Sequence, residues 1–226
     1  MMHEFKRYPL TYTIIAINVV IYLFTALLSG SLIEIDPRVL VRVGALYGPL
    51  TIADGQWWRL LTAMFLHGGM THLLMNMYSL YLIGRGAEQY FSKAAYLSLY
   101  LFSGLFGGLV SLYVHPDAVG VGASGAIFGI FGALAGFFLA HRDRIGTYTK
   151  AFMKDFAVVL GLNFFIGVAI PSVDMSAHIG GLFIGLIGGY IIAKKPNILW
   201  LFDLVMLGVL FIGIQVVTSH YAQMLH

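Results

Sequence analysis

Residues 124–140 read SGAIFGIFGALAGFFLA, and residues 175–193 read MSAHIGGLFIGLIGGYIIA. Neither stretch carries a charge. The first holds Gly125, Gly129, Gly132 and Gly136, and the second holds Gly181, Gly185, Gly188 and Gly189. Gly125 and Gly129 lie four apart, as do Gly181 and Gly185, so each pair falls on one helix face. Small residues at that spacing let two membrane helices meet backbone to backbone. The same spacing also serves folding alone in many membrane helices. What sets these two apart is a polar residue near the start of each, Ser124 and His178, where lipid is expected and polar groups are costly.

The rest of the chain agrees with a membrane setting. Of its 226 residues 59% are hydrophobic and 10% charged, with mean hydropathy +0.86. Soluble domains carry about 25% charged residues. The fold class is therefore all-α, a polytopic membrane helical bundle forming a single domain over 1–226. A span needs roughly 20 mostly apolar residues. Seven stretches qualify: Pro9–Ser29, Leu60–Gly84, Ala94–Val114, Ser124–Ala140, Phe156–Ile170, Met175–Ala193 and Leu199–Thr218. The first is too long for a secretory signal and lacks a following small-residue cleavage site, so it reads as a retained span. Lys194-Lys195-Pro196 sets the last span, about 199–218, apart from a six-span core of about 9–195. Cysteine is absent, which removes disulfides and thiolate chemistry. The net charge of +3 contains no basic run that points to nucleic acid.

Lysine and arginine set the orientation. With the N-terminus cytoplasmic, ten of the thirteen fall inside, and only Arg38, Arg42 and Arg59 fall outside. The C-terminus is then extracytoplasmic, and Ser219–His226 reads as a tail. Ser124 and His178 both enter from the outer side at similar depth. The long connection between the first two spans, with Trp57 and Trp58, reads as an interfacial loop.

A hydroxyl and an imidazole are the minimal kit for a nucleophile and its base, provided they meet. Each has a plainer role, Ser124 bonded to its own helix and His178 bridging helices. A third polar group opens the second span: His67, then His72 and Asn76 four apart on one face. Such donors stabilise a developing oxyanion in a dry site. They also serve as interhelical polar glue. A metal site of His67, His72 and His178 is disfavoured, since the spacing of His67 and His72 does not put both on one helical face and no carboxylate lies nearby. Asp174 precedes His178 by four. It reads as an N-terminal residue favoured by the helix dipole, with the acid of a triad as the rival role.

Taken together, Trp58-Arg59, His67…His72…Asn76, Gly122-Ala123-Ser124-Gly125 and Ala177-His178-Ile179-Gly180-Gly181 with Gly185 resemble the rhomboid intramembrane serine proteases. The resemblance covers the first six spans, and the seventh is similar to the extra C-terminal helix of some members. It implies a dyad of Ser124 as nucleophile and His178 as base. It implies an oxyanion hole from the Ser124 N–H with His72 and Asn76, structural support from His67, and a first loop anchored by Trp58-Arg59. The fifth span would be a lateral gate. Phe128 stands where many members have tyrosine, which still permits stacking on imidazole. No cofactor or metal is implied. The implied partners are transmembrane protein substrates within the lipid bilayer, cut near their extracytoplasmic end. The layout points to a bacterial plasma membrane.

Two other classes compete. A coupled transporter places carboxylates near the bilayer centre. All ten acidic residues here map to loops or span ends. A catalytically inactive relative that binds membrane clients is expected to lack Ser124 or His178.

Overall fold

The protein, seen in a computed structural model describing residues 2–169 and 173–225, is a bundle of α-helices. A short α1 (Met2–Arg7) leads into α2 (Pro9–Ser29). Pro9 pre-sets the first turn of α2. Gly30, at φ 69°, ends it by returning its N–H to the carbonyls of Ala26 and Leu27. The long connection holds α3 (Pro37–Val43), a π-helical turn (Pro49–Ala53), α4 (Arg59–Thr62) and a 3₁₀ turn (Ala63–Phe65). Then follow α5 (Met70–Tyr90), α6 (Lys93–Val114), α7 (Ser124–Ala140), α8 (Gly146–Ala169), α9 (Met175–Lys194) and α10 (Leu199–Met224). Among the described residues four helices or helical runs are long and apolar enough to cross a membrane: Pro9–Ser29, Lys93–Val114, Met175–Lys194 and Pro196–Met224. Ser124–Ala140 is a shorter apolar helix.

Several boundaries differ from the sequence expectation. The second long helix begins at Met70 rather than Leu60, because the preceding backbone is used elsewhere. The Ile35 N–H donates to the Gly68 carbonyl at 3.0 Å, and the Met70 N–H donates to that of Ile33 at 3.0 Å. The fifth long helix starts earlier, at Gly146; its expected end, Ile170, lies outside the described residues. The last helix continues to Met224, so most of the expected tail is helical.

The central helix is α7, nearly all buried, packed against α9, α6 and α5. Ala126, Ile127, Ile130 and Ala133 lie in the main apolar core with Leu80, Leu99 and Tyr100. Opposite the long connection, Glu88 at the end of α5 caps α2, accepting from the Leu10 and Thr11 N–H groups at 2.8 and 3.0 Å. A carboxylate there complements the positive end of the helix dipole. Helix α10 packs mainly against α6, and its Phe202 joins the main apolar core. The Ser98 hydroxyl donates to Asp203 near one end, and Tyr113 stacks on His220 at 4.1 Å near the other.

Candidate active site

The glycine faces of α7 and α9 meet as their spacing predicts. A Cβ on Gly181 would overlap the Gly125 carbonyl, and one on Gly185 would overlap that of Gly129. One turn on, a Cβ on Gly132 would strike the Leu182 carbonyl. At the same junction, a Cβ on Gly107 of α6 would lie 2.7 Å from the Ala177 carbonyl and 3.4 Å from Cα of Gly125. Backbone contact along this seam brings the start of α9, with His178, against the start of α7, with Ser124.

His178 is buried, and its ring stacks face to face on Phe128 at 4.2 Å and 11°. Phe128 lies one turn below Ser124, so the imidazole is held flat on the helix that carries the hydroxyl. Among the described residues the two side chains are not hydrogen-bonded to each other. Such bonds often tighten only once substrate binds.

Ser124 follows Gly122, whose φ of 127° lies in the left-handed region that favours glycine. A Cβ on Gly122 would lie 2.8 Å from Nε2 of His72 and 3.8 Å from Oγ of Ser124. The missing side chain therefore lets His72 stand beside the serine. The Gly122 N–H donates to the Ala63 carbonyl at 2.9 Å, which ties this approach to the 3₁₀ turn. Asn76 is buried one turn along from His72, and its amide donates to the His72 carbonyl at 2.9 Å. An amide has a second N–H, which remains for another acceptor.

His67 is fully buried and meets His72 edge-on at 5.0 Å. The two rings touch although their spacing is wrong for one helix face. The reason is that His67 precedes the helix, in the irregular stretch before Met70. Among the described residues no group of three His, Cys, Asp or Glu side chains is placed to hold a metal.

Arg59 does not sit at a surface, as an interfacial anchor does. It is buried, and Nη1 donates to the carbonyls of Val41 and Ala45 at 2.7 and 2.9 Å, while Nε donates to Gln56 at 2.9 Å. The guanidinium pins the long connection to itself and caps the end of α3. Trp58 is half exposed, with the guanidinium 4.8 Å from its ring centre.

Two features were not legible beforehand. A cavity of about 40 Å³ opens beside Ser124, walled by Leu46, Leu60 and Met64 and reached by Ser111, Asp174 and Ala177. Its apolar wall comes from the long connection, for which the sequence offers no periodic signal. Ser111 is one of many serines in apolar helices and carries no local mark. Asp174 is the N-cap of α9 and accepts from the Ala177 N–H at 3.0 Å and from the Ser176 hydroxyl. Its backbone carbonyl accepts from the His178 N–H at 3.3 Å, but its carboxylate does not bond to the His178 ring as a triad acid does.

The rhomboid domain model matches residues 54–195, which include every residue just described around Ser124 except those in the long connection before Asp54. The chain belongs to the rhomboid family. It is 34% identical over 193 residues to the putative rhomboid protease YdcA of Bacillus subtilis, covering 85% of this chain and 92% of that one. It is 35% identical over 183 residues to the rhomboid protease GluP of the same organism, covering 81% of this chain and 34% of that one. To RHOMBOID-like protein 7 of Arabidopsis thaliana it is 36% identical over 177 residues, covering 78% and 56%. The chain thus spans about a third to just over half of the latter two rhomboid proteins.

Proposed function

We propose that this rhomboid is an intramembrane serine endopeptidase that cleaves transmembrane helices of other membrane proteins near their extracytoplasmic end. The observation that carries the reading is the α7–α9 seam, where glycine-to-glycine contact and the Phe128–His178 stack bring an imidazole to the helix of Ser124. The name of its relative GluP, a rhomboid protease, and that of YdcA, a putative one, support it.

In this reading His178 accepts the Ser124 proton as the oxygen attacks the scissile carbonyl. The Ser124 N–H, His72 and the second N–H of Asn76 stabilise the oxyanion, a contribution of several kcal/mol for donors in a dry site. His178 then donates its proton to the leaving amine, and an acyl-enzyme forms. Water entering from the outer side hydrolyses it. His67 supports His72, and Gly122, Gly125, Gly181 and Gly185 allow the approach. The catalytic core is about 9–195, with α10 an added span. The bias of lysine and arginine supports a cytoplasmic N-terminus, an extracytoplasmic C-terminus and a site open to the outer side; the membrane in this reading is a bacterial plasma membrane.

The test is cleavage of a transmembrane reporter in proteoliposomes, with product masses locating the cut. Cleavage near the reporter's outer end by wild type, and none by Ser124→Ala or His178→Ala, is the expected result. Intact reporter that co-purifies with wild-type protein would instead indicate an inactive client-binding relative.

A further inference from the structure

A Ser–His dyad leaves open what balances the positive ring formed when His178 takes the serine proton. Nδ1 of His178 is buried and, among the described residues, without a hydrogen-bond partner. Unbalanced charge in such a place is expensive. A negative group stands one turn away. Asp174 is fixed as the N-cap of α9 by the Ala177 N–H and the Ser176 hydroxyl, and Ser111 reaches it from α6. Burial works against the charged form of Asp174. The Ser111 and Ser176 hydroxyls, the Ala177 N–H and nearby His115 outweigh that and hold the carboxyl below its usual range. None of these donors is His178, yet the carboxylate lines the same cavity as Ser124, and its field reaches the His178 ring. The other titratable group acting on that ring is His72 of α5.

We infer that Asp174 is a positioning residue for the reaction: a fixed negative charge that stabilises the His178 imidazolium across a gap, without touching it. The inference rests on the proposed roles of Ser124 and His178. The acid of a Ser–His–Asp triad both orients the imidazole and balances its charge. Here the two duties are divided. Phe128 orients the ring by stacking, and Asp174 supplies the charge.

The test uses the full chain in proteoliposomes with the transmembrane reporter. Asp174→Ser and Asp174→Asn keep a capping oxygen and remove the charge, whereas Asp174→Glu keeps the charge on a poorer cap. The two neutral variants are expected to lose about tenfold in kcat with KM within about twofold of wild type. Their thermal midpoints fall modestly below wild type, because the charge that stabilises the cap of α9 is lost. Asp174→Glu recovers most of kcat although its midpoint falls. Wild-type kcat in the neutral variants would overturn the inference, as would kcat that simply tracks thermal midpoint across all three. If wild type itself cleaves nothing, the dyad reading fails and takes this inference with it. If wild type cleaves and the neutral variants match it, only the role of Asp174 fails.

Discussion

The seam between α7 and α9 and the contact of α10 with the bundle are built on opposite plans. Along the seam, glycine meets backbone, and nothing larger fits at Gly181, Gly185 or Gly189. On α10, Gly208 faces open space, Leu204, Leu207 and Phe211 are exposed, and the helix is held by a few side chains such as Phe202, Val217 and Tyr221. Lipid gives little hydrophobic push between helices, so tight association depends on close packing and on polar contacts. The seam has that packing, and it is where Ser124 and His178 are held. The α10 contact has less of it and carries none of the proposed reacting groups.

The largest effect is expected from filling the seam. Gly185→Val drives a side chain into the Gly129 carbonyl and should cost at least about 3 kcal/mol, enough to lose folded protein on purification. The matched change on α10, Gly208→Val, should stay within about 0.5 kcal/mol by thermal unfolding in detergent. Equal sensitivity at the two sites would erase the contrast.

Next in size is Gly122→Ala. It forces an unfavourable φ, at about 1–2 kcal/mol, and displaces His72. Labelling of Ser124 by a fluorophosphonate should slow by about tenfold or more while the protein remains folded. A labelling rate equal to wild type would separate His72 from the chemistry.

A smaller effect follows from Asp174. Its carboxyl is held below the usual range in the folded protein, so it adds stability above the unfolded-state value and loses it as pH falls through the native one. The thermal midpoint of wild type should therefore fall toward that of Asp174→Asn on acidification, and the gap should be widest near neutral pH. A gap that widens toward acid contradicts the assignment. Smallest of all, His220→Ala on α10 removes the stack on Tyr113 and should cost no more than about 1 kcal/mol, with fluorophosphonate labelling unchanged.

The seam was legible because a glycine period survives any detail of packing: Gly125 with Gly129 and Gly181 with Gly185 specify a shared face wherever the helices begin. The start of α5 was not. Apolar content ran on from Leu60, but Gly68 and Met70 give their backbone groups to the chain at Ile33–Ile35, a pairing between distant residues that hydropathy does not register. The same irregular stretch explains why His67 touches His72 against the helical rule. The family resemblance implied an anchoring Arg59, yet its partners are the carbonyls of Val41 and Ala45. Any residue supplies a carbonyl, so such a partner leaves no trace in sequence. The cap at Asp174 was legible from local chemistry, whereas its place beside the cavity depends on Ser111 from another helix.

We propose that the α7–α9 contact makes Ser124 a nucleophile with His178 as its base. Treating purified wild type, Ser124→Ala and His178→Ala with a fluorophosphonate, followed by intact mass and peptide mapping, addresses it most directly. One adduct on Ser124 in wild type, none in Ser124→Ala and a strongly slowed reaction in His178→Ala is the predicted result. An adduct on another residue, or undiminished labelling in His178→Ala, would contradict it.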